Sequence, residues 1–435
     1  MKLITINGFS LNYEAINASF DKYQTRFLEV LKLMLNLEAG EKANKTEDRM
    51  VGHYWLRNPK IAPDSSICDA ILSEQKKIQT FFRECDYENL FYVGIGGSGL
   101  GPALIFDCFK HRTSKKVIIF DNVDPEGVAI NLSGQNLSRT LVCVTSKSGT
   151  TTETLVVKDF LKSAFQKQGL VFENHAVAIT MEETPLWKEA SSWLTRFKIW
   201  DWVGGRTSIF SAVGLSVLCF LGLNDTAFLE GAAFMDTQTR LNNLFNNPAA
   251  IIAYALVYCH ELGKKNLCIL PYSDRLQLFS KYLQQLFMES LGKTRQDGEK
   301  FGVTVYGNKG TTDQHSFVQQ LRQGIDDFLA IFIRRLEPEI SIDDSCLQYE
   351  MDRYLDAFFL GTRKALSEAK REHVTLTVPC IDEYWLGSLI ALFERVVGFY
   401  AFHFDINAYD QPGVEAGKKA AKEFLENKTN LKEIL

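Results

Sequence analysis

Residues 90–95 (LFYVGI) run directly into Gly94-Ile95-Gly96-Gly97-Ser98-Gly99. A short apolar, β-rich run ending in four glycines and a serine reads as a buried strand that turns sharply into a helix. The same pattern recurs downstream at 117–120 (VIIF), 141–145 (LVCVT) and 177–180 (VAIT), with helical stretches between, and Ile199-Trp200 is a candidate fifth strand. Near-continuous apolar strands separated by helices indicate a parallel sheet covered on both faces. A second series follows at 267–270 (LCIL), 303–306 (VTVY), 328–333 (FLAIFI) and 374–378 (VTLTV), with helices expected over 274–291 and 384–402. The expected fold class is therefore α/β, with two domains that each hold a mainly parallel sheet flanked by helices. The first ~85 residues read as mainly helical. Within them 27–37 (FLEVLKLMLNL) is apolar enough for a packed helix, and the charged stretch 40–49 is expected to be exposed. A boundary near Gly204-Gly205 divides the chain into 1–85, 86–205 and 206–435.

Composition narrows the function. The 435 residues carry 48 Lys plus Arg against 53 Asp plus Glu, a net charge of −5. That balance argues against nucleic acid or an anionic membrane as the main partner, while leaving room for a small anionic ligand at a local site. A 46% hydrophobic and 23% charged composition is that of an ordinary soluble globular protein. The nine cysteines (68, 85, 108, 143, 219, 259, 268, 346 and 380) are odd in number and scattered, with no C-x-x-C. They read as reduced thiols of a cytoplasmic protein. The opening residues 1–16 lack the apolar core of a signal peptide. The longest uncharged stretch, 207–224, carries several Ser and Gly and reads as a buried helix, not a membrane span.

Two loops at strand ends suit a phosphate. The glycine loop formally satisfies G-x-G-x-x-G, and Asp121 lies 22 residues after Gly99, where a dinucleotide fold would hold a ribose. Glycines that let backbone approach an anion at a helix N-terminus serve any phosphate, however. Residues 146–154 (SKSGTTTET) place six hydroxyls, Lys147 and Gly149 after a third strand. Hydroxyls and backbone N–H groups can surround a phosphate, and Lys147 adds charge. The bland alternative is a hydroxyl-rich helix cap at Thr150 or Thr151. It is not a Walker A loop.

Four further residues have the character of acid–base chemistry. Arg206, in Gly204-Gly205-Arg206-Thr207-Ser208, sits between glycines and an apolar helix, where it can stabilise developing negative charge or simply lie on a surface turn. Glu289 lies among apolar neighbours in 286–293 (LFMESLGK), the setting of a general base or of an ordinary helix end. His315 is the only one of seven histidines in a small polar loop, 310–316 (GTTDQHS). Lys418 begins a charged run after the Pro412-Gly413 break. No His/Cys spacing suggests a metal site, and no metal is expected.

Taken together, GIGGSGLGP, SKSGTTTET, VGGRTS, QLFMESLGK, GTTDQHSFVQQL and DQPGVEAGK resemble, in order from Gly94 to Lys418, the glucose-6-phosphate isomerase (phosphoglucose isomerase) family in its short bacterial form. The resemblance implies two sugar-isomerase domains, a homodimer with the site at the subunit interface, and no cofactor. It implies interconversion of glucose 6-phosphate and fructose 6-phosphate in glycolysis and gluconeogenesis. In its terms Glu289 moves the proton between C1 and C2, Arg206 steadies the enediolate, and His315, reaching over from the partner subunit, and Lys418 aid ring opening. Ser146, Lys147, Ser148 and Thr151 would hold the phosphate, and Gly97, Ser98, Gln285 and Gln411 would line the sugar. The chain departs from many longer members in SKSGTT for SKTFTT, MESLGK for MESNGK, and Pro412 for Trp. The chemistry fits the inventory, since aldose–ketose isomerisation needs a base, an oxyanion stabiliser and a proton shuttle. A nicotinamide-dependent oxidoreductase resting on the glycine loop and Asp121 leaves SKSGTTTET, Arg206 and Glu289 unexplained. A non-catalytic sugar-phosphate sensor leaves Glu289, His315 and Lys418 without a role.

Overall fold

The computed structural model describes residues 2–295 and 297–426, apart from the side chains of Glu415 and Glu426. Thirteen strands appear among them. A hairpin of β1 (Leu3–Ile6) and β2 (Phe9–Asn12) opens the chain. The first large sheet takes β3 (Asn89–Val93), β4 (Lys116–Phe120), β5 (Thr140–Thr145), β6 (Ala176–Thr180) and β7 (Thr195–Lys198), in the order β4-β3-β5-β6-β7. All of its pairings are parallel. Every residue of β3, β5 and β6 is buried, which is why those strands are apolar throughout and not alternating. The fifth strand lies at Thr195–Lys198, not at Ile199-Trp200. Its exposed edge position favours the polar TRFK, which an apolar pattern does not flag.

The second sheet is built from β8 (Asn266–Tyr272), β11 (Thr304–Tyr306), β12 (Phe328–Arg335) and β13 (His373–Val378), all parallel. A small ribbon of β9 (Lys293–Thr294) and β10 (Lys300–Phe301) precedes β11. The opening hairpin joins this sheet's edge, β2 pairing antiparallel with β13. The N-terminal stretch is thus not helical throughout. The hairpin's signal is Asn7-Gly8, with φ of +46° and +92°, the residue pair that a tight two-residue turn needs. The helix expected at 27–37 forms as Gln24–Glu38. The charged stretch 40–49 is not simply exposed: Asn44 is buried, and Thr46 and Asn44 bond residues 407–410.

Two apolar helices fill the centre. Ala212–Phe220, within the uncharged stretch, is buried at every position. Glu383–His403 is long and apolar enough to cross a membrane, yet 94% of its apolar window is buried inside the protein. At its middle Glu394 and Arg395 enter a charge cluster. Arg57 bonds Asp236 in a two-pronged contact (2.7 and 2.8 Å) and also Glu394. Arg395 bonds Asp236 (2.9 Å) and Glu38, and Arg240 bonds Glu38 (2.7 Å). Three guanidiniums thus face three carboxyl groups, of which burial pushes Glu394 up to about 7, and the cluster ties helix Gln24–Glu38, the turn His53–Leu56, helix Asp225–Thr239 and helix Glu383–His403 together. Burial alone would raise the Asp236 carboxyl, but Arg395 and Arg57 hold it at about 2.

Removing one member leaves the others charged and buried. Asp236→Ala strands two guanidiniums and is expected to cost about 3–5 kcal/mol. Lys42→Ala, which breaks the exposed Lys42–Asp48 pair (2.7 Å), is expected to cost under about 1 kcal/mol. Urea denaturation followed by circular dichroism compares the two.

Candidate active site

The strand order places β4 on one side of β3 and β5 on the other. In an open parallel sheet this reversal opens a crevice at the carboxyl ends of the strands. Both loops singled out in the sequence leave from there. The glycine loop opens helix Gly97–Phe109, with Gly96 at φ +58°. A Cβ on Gly97 would stand 2.1 Å from the Gly205 carbonyl oxygen, and one on Gly96 would stand 3.1 Å from Gln285 Nε2. The glycines thus let the Gly205-Arg206 segment and Gln285 close over the loop. Asp121, the residue a dinucleotide reading relies on, is exposed at the end of β4.

In the hydroxyl loop Ser146 is buried and its Oγ lies 2.8 Å from Thr151 Oγ1. Thr150 donates to Ser148 Oγ through both its amide (3.3 Å) and its hydroxyl (3.0 Å). Thr151 occupies the N-cap of helix Thr152–Lys167, but its side chain makes no capping bond. With the cap hydroxyl turned to Ser146, the first amides of this helix stay available to an anion. Lys147 Nζ donates to the carbonyls of Asp201 (2.6 Å) and Val203 (2.7 Å). Burial, with Arg49 adding, pulls its pKa down to about 7.

Arg206 is no surface residue. Only 6% of it is exposed, on the turn Gly205–Thr207. Its Nε donates to Glu289 Oε2 (3.0 Å), Nη1 to the Ala408 carbonyl (2.6 Å), and Nη2 to the Asp410 carbonyl (3.0 Å) and Gln411 Oε1 (2.8 Å). Glu289 closes a π-helical turn, Gln285–Glu289, that continues helix Phe279–Gln284. Such turns are rare and concentrate at functional sites. Its apolar neighbours Leu286 and Phe287 point into the core, so Glu289 sits among hydrogen-bond donors and not in an apolar sleeve. Gln285 Nε2 gives Oε2 a second bond (2.9 Å). Oε1 accepts none among the described residues. Glu289, Gln285, Met288, Gln411, Pro412 and Val414 border one open cavity of about 460 Å³.

The structure thus brings Arg206, Glu289, Gln285 and Gln411 into direct contact, with Gly97 and Ser98 in the loop packed beside them. Ser146, Lys147, Ser148 and Thr151 form a separate loop at the neighbouring strand end. Lys418 lies exposed on helix Gly413–Glu426, whose first residues, Gly413 and Val414, border the cavity. His315 stands apart. It is exposed, and its turn is anchored by Gln314, which donates to Tyr272 (3.1 Å) and Thr362 (2.5 Å). Among the described residues no group of three or more His, Cys, Asp or Glu is placed to hold a metal ion. The sequence reading missed Lys293 and Asp410, which form an ion pair (2.9 Å) against Arg206. Both lie inside motifs already singled out, Lys293 in QLFMESLGK and Asp410 in DQPGVEAGK, but their charge there looks like ordinary surface.

The chain matches the sequence profile of the family described as Phosphoglucose isomerase over residues 17–373 and 360–434. It is 45% identical to a glucose-6-phosphate isomerase of Prochlorococcus marinus (strain MIT 9301), across 99% of this chain and 85% of that one. In structure it resembles a glucose-6-phosphate isomerase of Chlamydia trachomatis, with a TM-score of 0.91 at 27% identity over 99% of this chain and 90% of that one. It also resembles a hypothetical protein of Thermus thermophilus, with a TM-score of 0.82 at 29% identity over 95% of this chain and 99% of that one.

The expectation from the sequence that Lys147 helps to hold a phosphate carries a pH dependence. Its charge is present below about 7 and is lost as pH rises through that value. A phosphate monoester becomes dianionic above about pH 6. Affinity for a phosphate monoester is therefore expected to peak between these values and to fall by up to about tenfold per pH unit above them. Lys147→Arg, charged throughout, should flatten the alkaline limb. Isothermal titration across pH 6–9 checks this.

Proposed function

The chain belongs to the phosphoglucose isomerase family, and on that premise we propose that it interconverts glucose 6-phosphate and fructose 6-phosphate with Glu289 as the base. The observation that carries the assignment of the base is the Arg206–Glu289–Gln285 contact at the cavity wall. Oε2 is held by two donors, which fixes the carboxylate and leaves Oε1 to take a proton. The open-chain aldose gives up its C2 proton to Glu289. The electron pair forms the C1–C2 double bond of an enediolate, and the carbonyl oxygen takes the charge. Arg206, held buried beside the base, stabilises that charge in a site where water screens little. Transfer of a proton from O2 to O1, and return of the carbon-bound proton from Glu289 to C1, give the ketose. The reverse reaction uses the same groups.

The phosphate lies at Ser146, Lys147, Ser148 and Thr151, against the helix that starts at Thr152. Its binding positions the reacting carbons far from it. Gly97, Ser98, Gln285 and Gln411 line the sugar. Lys418 opens the ring from the helix that borders the cavity, together with His315. The reading places His315 in the site of a partner subunit in a homodimer. Two features support that. His315 is exposed and anchored away from Glu289, and the neighbouring helix Ser345–Glu368 exposes Leu347, Met351, Tyr354 and Phe358. An apolar surface of this kind marks an interface. The free cysteines, five of them buried, fit a reducing cytoplasmic setting.

Glu289→Gln should lower kcat by several orders of magnitude with little change in KM, read by coupling fructose 6-phosphate turnover to a dehydrogenase. Near-wild-type turnover in that variant removes Glu289 as the base. Mixing inactive Glu289→Gln and His315→Ala subunits tests the shared site. Random exchange in a two-fold dimer should regenerate about a quarter of wild-type activity. Recovery of none places both residues in one subunit.

A further inference from the structure

Arg206 takes its position from a set of contacts that the reaction itself does not require. Its Nη2 donates to the backbone carbonyl of Asp410, and to the side chain of Gln411 next to it. Asp410 is 6% exposed. Its carboxylate is held on every side: Lys293 Nζ lies 2.9 Å from Oδ1, while Thr46 Oγ1 (2.5 Å) and Asn407 Nδ2 (2.9 Å) donate to Oδ2. Lys293 Nζ also donates to the Asp410 carbonyl, the same oxygen that receives Arg206. Lys293 follows Glu289 by four residues. The contacts therefore close a ring: Glu289 to Lys293 along the chain, Lys293 to Asp410, Asp410 to Arg206, and Arg206 back to Glu289.

We infer that Asp410, paired with Lys293, is a positioning residue that fixes Arg206 for the charge that develops in the reaction. The inference rests on the role given to Arg206 above. The carbonyl of Asp410 can hold the guanidinium only where residues 408–411 are themselves held. The Asp410 side chain is the charged tether among the bonds that hold them, joining that loop to Lys293 on one side and to Thr46 on the other, beside the bonds of Asn44 to Tyr409 and Asn407. Without the pair, Arg206 keeps its charge and its bond to Glu289 but loses a fixed direction. Ground-state binding of the sugar phosphate depends chiefly on the hydroxyl loop, and the ring touches it only through Gln411, which Arg206 also bonds. Stabilisation of the enediolate does, since it needs donors aimed in advance. In metal sites, groups that orient a ligand from behind matter by about 10–100-fold, and the same order is expected here.

The test is Asp410→Asn, which keeps the shape and removes the charge. Turnover of fructose 6-phosphate, and affinity for two ligands, are measured in wild type and variant. One ligand is a five-carbon sugar-phosphate hydroxamate, an anionic mimic of the enediolate. The other is the uncharged-head polyol phosphate glucitol 6-phosphate. The expected result is a fall in kcat of about 10–100-fold, a matching fall in hydroxamate affinity, and polyol-phosphate affinity and KM within about threefold of wild type. Lys293→Met breaks the pair from the other end and stands in if the first variant does not fold; because Lys293 also borders the cavity, the expected result there is a fall in hydroxamate affinity at least about tenfold larger than the fall in polyol-phosphate affinity. Unchanged kcat, or equal losses for both ligands, overturns the inference. A wild type without turnover would instead overturn the isomerase reading, so the two failures are distinguishable.

Discussion

A guanidinium cannot be dehydrated without partners, and Arg206 is almost wholly removed from water. Its N–H groups are met by one carboxylate, two backbone carbonyls and one amide oxygen. Those acceptors come from residues 289, 408, 410 and 411, which lie in different parts of the chain. The need to satisfy one buried cation therefore dictates where the turn after Gly204, the end of helix Phe279–Gln284 and the loop after Phe404 must meet. The glycines at 96 and 97 follow from the same demand, because any side chain there would keep the Arg206 segment and Gln285 at a distance. The reactive carboxylate is part of the solution and not an addition to it.

The central charge cluster answers a similar demand without chemistry. Arg57, Arg240 and Arg395 are matched by Glu38, Asp236 and Glu394 in an interior built mainly from apolar and aromatic side chains. Such a cluster is a weak source of net stability, because desolvation offsets most of the attraction. It is strongly selective among arrangements, since any misplacement of the four segments leaves a charge unmatched. That explains how a helix as apolar as Glu383–His403 takes a single orientation in the centre of the fold.

The parts of this architecture legible in the sequence are those where burial is two-sided. Strands β3, β5, β6, β8, β12 and β13 are largely apolar because both faces are covered, and a plain run of Val, Ile, Leu and Phe reveals them. Strand β7 and the opening hairpin lie at sheet edges, where polar residues are tolerated and the apolar signal fades. The Asn7-Gly8 turn is the available cue for the hairpin. In the site, the motif residues Glu289, Arg206, Gln285 and Gln411 are legible and meet one another in the structure. Thr46, Lys293 and Asp410 are not, because a charged or hydroxyl side chain looks the same in sequence whether it faces water or a buried partner. His315 shows the opposite limit, as its position in the motif is clear while no contact joins it to the base among the described residues.

The bond between Asn407 and Asn44 spans 363 residues. Closing so long a loop is entropically slow, and its reward comes only after the intervening segments are in order. The ring around Arg206 leans on this contact through Thr46 and Asp410. The chemistry therefore depends on contacts between segments far apart in the chain, and it is exposed to loosening at either end of that long closure. Turnover in such a molecule reports the completeness of the tertiary structure more sharply than any measure of helix or strand content can.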